Sequence, residues 1–79
     1  MRTKLVMPWN LKIGQKLAQY DLHDNECFNT IISIQKSKGR FTGKPIWHVR
    51  TDSALFPLNS FHGKLNRLPA TKAKILIDN

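Results

Sequence analysis

Turn-forming residues interrupt this chain so often that no long helix fits between them. Four prolines and four glycines are spread over 79 residues, and the polar cluster DLHDNE at residues 21–26 adds a further break. Helices of globular proteins usually occupy about 8 to 20 residues, whereas a strand needs only about 4 to 8. The spacing of the breaks therefore predicts a small, mostly β protein.

Several segments between these breaks have the composition or the alternation of half-buried strands. They are residues 15–22, 27–36, 45–51 and 72–78. For the first, a helix over residues 11–20 is the alternative, although Gly14 weakens it. Alternation in the other three predicts that these side chains are mostly buried: Phe28, Ile32, Ile34, Trp47, Val49, Ile75 and Ile77. Residues 37–44 then form a long hairpin loop.

Two segments remain, residues 55–58 and residues 59–68. The first is expected to form a short strand or bend. The second is expected to hold one helical turn capped by Asn59 or Ser60. The segment IGQKL at residues 13–17 begins with an apolar residue followed by glycine, and two longer predicted strands and a short closing strand come after it. This layout resembles that of the SH3-like small barrels, including the KOW and Tudor types. This resemblance covers residues 11–68. It implies a small SH3-like barrel or a five-stranded antiparallel meander with at most one or two short helical turns.

Residues 1–79 are expected to form a single small domain, with residues 72–78 as the closing strand. The charge of this domain is strongly positive: 13 Lys and Arg against five Asp and Glu give +8, with a pI near 10.2. A domain with a pI above about 9 has the electrostatic character of a nucleic-acid binder. Three of the five acids lie within residues 21–26, so a charge dipole results if that turn is remote from the basic loop.

The strongest candidate site is KSKGRFTGK at residues 36–44, which holds four cations and no acid. In an extended arm, residues 36, 38 and 40 point the same way and can meet successive phosphates. Phe41 can stack on a base or wedge into a base step, or it can fold back onto the core. The predicted interface comprises Lys36, Lys38, Arg40, Phe41, Lys44, His48 and Arg50. A second patch comprises Lys64, Arg67, Lys72 and Lys74.

No catalytic or metal-binding pattern stands out. Walker A and GxGxxG motifs are absent. His23 and Cys27 form one loose pair, whereas a structural zinc site needs about four ligands, so Cys27 is expected to be a small buried residue. We therefore expect that the protein is not an enzyme and that it uses no cofactor, metal or small-molecule substrate. One cysteine, no signal peptide and no apolar stretch of about 20 residues favour a cytoplasmic protein without a membrane partner.

Together these features predict a small basic protein that binds nucleic acid in an accessory or regulatory role. Duplex DNA is slightly preferred over RNA, because a hairpin with an aromatic tip suits a groove. The alternative is a protein-interaction module or inhibitor, as small phage- or plasmid-borne proteins often are, that docks on an acidic surface of a polymerase or nuclease. Trp9 and Trp47 fit either a core or an exposed stacking role, and alternation favours the core for Trp47.

Overall fold

The computed structural model describes residues 2–41, 43–64 and 69–77. Its strands are β1 (Thr3–Val6), β2 (Lys16–Tyr20), β3 (Glu26–Lys38), β4 (Pro45–Thr51), β5 (Leu58–His62) and β6 (Ala73–Leu76). They form one antiparallel sheet in the order β1-β6-β2-β3-β4-β5. A three-residue 3-10 turn, Pro8–Asn10, is the helical element within the described ranges.

The prediction of a mostly β protein is confirmed, but the closed barrel is wrong. The six-stranded sheet is open, with β1 and β5 as its two edges. The five-stranded meander is also wrong, because β6 lies between β1 and β2 and pairs with both. The sequence TKLV of β1 is too short to show a convincing alternation, so only its pairing with β6 identifies it as a strand.

The other predicted elements match in part. β4 has the predicted bounds, and β2, β3 and β6 differ from theirs by one or two residues at each end. The alternative helix over residues 11–20 is wrong, since residues 16–20 are β2. The helical turn expected from residue 59 is also wrong where it is described, because β5 continues to His62, and residues 65–68 lie outside the described ranges.

A β-bulge in β3 changes which side chains of that strand face inward. Ile31 pairs with Thr51 and Ser33 pairs with the adjacent Arg50, so Ile32 is an extra residue in the ladder. Ile31 is consequently fully buried, whereas Ile32 is 49% exposed. The prediction that Ile32 is buried is wrong because strict alternation assumes an unbroken register.

Every strand supplies a side chain to one hydrophobic core, so the open sheet curves around it. Core residues are Leu11, Leu17, Ile31, Val49, Phe61, Ala73 and Ile75, with Val6 and Ile34 packed against them. The predicted burial of Val49 and Ile75 is confirmed. Phe28, Ile34 and Trp47 are half-buried. Ile77 is 48% exposed, against prediction, because β6 ends at Leu76.

A buried polar residue, Gln19, ties four strands together beside this core. Its Nε2 donates to Asn59 Oδ1 at 2.6 Å and to the Phe56 carbonyl at 2.5 Å. Its Oε1 accepts from Thr51 Oγ1 at 2.9 Å and from Asn29 Nδ2 at 2.8 Å. Since both ends of the amide have partners, burying this side chain carries little penalty and helps to set the register of the sheet.

Candidate nucleic-acid interface

The β3–β4 hairpin ends in a basic projection that we call the finger, residues 36–44. β3 continues to Lys38, which pairs with Pro45, so the connection is shorter than the predicted loop over residues 37–44. The Gly39 N–H donates to the Lys44 carbonyl at 2.7 Å, and the Gly43 N–H donates to the Gly39 carbonyl at 2.9 Å. Gly43 has a φ of +67°, a left-handed conformation that glycine adopts without strain.

Phe41 lies at the tip of the finger with 96% of its surface exposed. The alternative in which it folds back onto the core is therefore wrong. Arg40, next to it, is also exposed. A large aromatic side chain that is exposed in this way contributes little to the stability of the isolated chain, so it is free to contact a partner.

The cross-strand register divides the predicted interface between the two faces of the hairpin. Lys36 lies opposite Trp47, so it shares the inner face of the sheet with that ring. His48 lies opposite Gln35 and therefore faces the other way. Because side chains alternate, Lys38 joins Lys36 on the inner face and Arg50 joins His48 on the outer face. Arg40 lies beyond the end of β3, so it does not continue the row of Lys36 and Lys38.

On the outer face, His48 links three strands. Its Nε2 lies 2.7 Å from Ser37 Oγ on β3, and its Nδ1 lies 3.1 Å from Ser60 Oγ on β5. Arg50 lies beside it, where Ser33, Gln35, His48, Arg50 and Leu58 line an open depression of about 290 Å³. The serines were not predicted as part of the site, because only the register of three strands brings them to the histidine.

On the inner face, two tryptophans meet at the base of the finger. The ring centroids of Trp9 and Trp47 are 5.9 Å apart with an interplanar angle of 56°. Trp47 is half-buried, whereas Trp9 is 51% exposed. The Lys36 ammonium lies 5.4 Å from the Trp47 centroid, within the range of a cation–π interaction. The sequence left the role of Trp9 open, and its contact with Trp47 is visible only in the folded chain.

The acidic turn lies at the opposite end of β3 from the finger. Residues 21–25 precede this 13-residue strand and the finger forms its far end. A strand of that length extends over most of the longest dimension of the molecule, which is 37 Å. Asp52 lines the same cleft as Asp21 and Glu26. The acids within the described ranges are therefore concentrated away from the finger, which is the arrangement that the predicted dipole requires.

The acidic end is ordered by its own hydrogen bonds. Asp21 accepts from the backbone and side chain of Asn25 and from the His23 N–H, and these bonds lower the pKa of its carboxyl group. Glu26 accepts from the Tyr20 hydroxyl at 2.6 Å and from Lys74 Nζ at 2.9 Å, which lowers the pKa of Glu26. The hydrogen bond between Tyr20 and Glu26 also raises the pKa of the Tyr20 hydroxyl.

The predicted second patch is divided, because Lys74 pairs with Glu26 and lies apart from Lys64. Lys74 forms its ion pair with Glu26 at the acidic end. Lys64 follows Gly63, whose N–H donates to the Pro45 carbonyl at 2.9 Å, so Lys64 lies near the base of the finger. The backbone N–H of Thr71 donates to the His62 carbonyl at 2.8 Å, which brings the neighbouring Lys72 toward β5. Arg67 lies outside the described residues.

Within residues 2–41, 43–64 and 69–77, no cluster of three or more His, Cys, Asp or Glu could hold a metal ion. Cys27 is exposed, not buried as expected, and its sulfur accepts from Asn29 Nδ2 at 3.3 Å. None of the helical segments in the described part of the chain has the length and apolar character needed to span a membrane.

The chain was compared with protein-family models, with curated proteins and with solved structures, and no significant match was found in any of the three comparisons.

Proposed function

We propose that the protein binds duplex DNA through the finger, in an accessory or regulatory role and not as an enzyme. The observation that supports this most is the separation of charge along β3. Four cations and no acid occupy residues 36–44, and the acidic turn lies at the other end of the strand. Such a dipole turns the finger toward a polyanion during approach and keeps the acids away from its phosphates.

The shape of the finger favours a groove. The major groove of B-DNA is about 12 Å wide and admits a two-stranded β-ribbon. The major groove of A-form RNA is too deep and narrow for side chains to read, which is why DNA is preferred. Phe41, exposed at the tip, is suited to contact a thymine methyl group or a base step at the floor of the groove.

The distribution of cations over both faces of the hairpin suits the same geometry. Lys36 and Lys38 project from the inner face, and Arg50 projects from the outer face beside His48. A ribbon within a groove lies between two phosphate backbones, so cations on opposite faces can meet phosphates of different strands. Lys64 adds a cation near the base. About four to six phosphates are then within reach.

The proposal is tested by fluorescence anisotropy with labelled duplex DNA, duplex RNA of the same sequence and single-stranded DNA, each over a series of salt concentrations. We expect duplex DNA to bind most tightly, with log K falling against log salt with a slope of roughly −4 to −5. Equal binding of duplex RNA would contradict the preference for DNA. No binding of any of the three at low salt would refute the proposal and favour the alternative, an acidic surface on a protein partner.

A further inference from the structure

We infer that Trp9 is a stacking platform for an unpaired nucleobase, so that the protein prefers a DNA duplex that carries a single-stranded overhang. The inference rests on the proposed function and adds to it a second contact, on the inner face at the base of the finger. Nothing in the groove-binding proposal uses Trp9.

The backbone around Trp9 holds the side chain in a defined position. Trp9 is the middle residue of the 3-10 turn, which is closed by the Asn10 N–H to the Met7 carbonyl at 2.9 Å. A second bond runs from the Leu11 N–H to the Pro8 carbonyl at 3.2 Å. Pro8 and Leu11 are both buried. The turn is therefore anchored on both sides of Trp9, and a ring held in place loses little entropy when a base stacks on it.

The indole of Trp9 is only partly used by the fold. Its contact with Trp47 covers part of the ring, and 51% of the side chain stays exposed. Trp47 takes the structural role, since it is half-buried and lies opposite Phe61 of the core in the β4–β5 ladder. A tryptophan that served only to cover Trp47 would gain stability by burying more of its own surface.

The surroundings of Trp9 are suited to a nucleotide. Lys36 stands over Trp47, which touches Trp9, and Lys38 lies on the same face of the hairpin. The nearest stretches of sequence, residues 1–20 and 27–50, contain no acid. A base stacked on Trp9 would therefore place its phosphates close to cations, as single-strand binding proteins do when they combine aromatic rings with a basic groove.

The experiment uses one DNA duplex in four forms: blunt, with a 3′ overhang of unpaired thymines, with a 5′ overhang of the same length, and with an abasic overhang that keeps the phosphates but lacks the bases. We expect one overhang polarity to bind about 5- to 150-fold more tightly than the abasic form, the range that one base–aromatic stack produces. The blunt and abasic forms should differ only by the electrostatic effect of the added phosphates.

Variants separate stacking from a structural role. Trp9→Leu keeps apolar contact with Trp47 but removes the π surface, so the preference for the base-bearing overhang should disappear while blunt-duplex affinity stays the same. Trp9→Phe should restore part of that preference. Leu55→Ala, at an exposed site in the cleft that Asp21 and Glu26 also line, is the matched control and should retain the preference for the base-bearing overhang.

The outcomes distinguish this inference from the proposed function. If the base-bearing and abasic overhangs bind equally, or if Trp9→Leu keeps the preference, the stacking role is refuted while groove binding stands. If the blunt duplex does not bind but an overhang does, the groove proposal fails and the Trp9 site remains. If no DNA binds at low salt, both are refuted.

Discussion

Reversing two charges on the finger is the most direct test of how this protein binds. Lys38 and Arg40 are both exposed, one at the end of β3 and the other in the turn beyond it. Each phosphate contact contributes about 0.9 to the salt slope, so the loss of one contact lowers affinity about 8-fold at about 0.1 M salt. The double variant Lys38→Glu with Arg40→Glu should therefore bind about 60-fold more weakly, and its slope should be shallower by about 2.

The repulsion between the new carboxylates and DNA adds to this loss, so 60-fold is a minimum. The urea midpoint should hardly move, because exposed charges usually contribute within about 0.5 kcal/mol. Lys4→Glu with Lys16→Glu, at exposed sites on β1 and β2, changes the net charge equally and is the matched control. If the control weakens binding as much as the finger variant does, net charge and not the finger accounts for affinity, and the reasoning is refuted.

Two further predictions concern the fold. Ile31→Ala should lower the free energy of unfolding by about 2–5 kcal/mol, because Ile31 is fully buried, whereas Ile32→Ala should cost less than about 1 kcal/mol; equal losses in urea titrations would contradict the bulge. Gln19→Leu should cost about 2 kcal/mol or more, because it removes the Nε2 donor to Asn59 Oδ1 and the Oε1 acceptor of the Thr51 hydroxyl from the buried network. An unchanged urea midpoint for this variant would show that the network contributes nothing to stability.

Much of the sheet was predictable because its signals are local. The bounds of β4 follow from a proline at one end and a turn at the other, and β3 is recognised by its β-branched composition. The bulge was not predictable in the same way, because Ile31 and Ile32 are identical residues and only pairing with β4 decides which is buried. β1 was missed for a related reason, since a short edge strand is identified by its partner and not by its own sequence.

The features of the candidate site likewise fall into those that the sequence predicts and those that depend on the tertiary structure. The sequence by itself determined that the finger is basic, that it is free of acids and that an acidic turn precedes the longest strand. Only the tertiary structure decided that Lys36 and His48 face opposite ways, that Trp9 meets Trp47 and that Lys74 is paired with Glu26. The physical reason is that composition and charge belong to single residues, whereas faces, stacks and ion pairs depend on strand register, which is set by contacts between residues far apart in the chain.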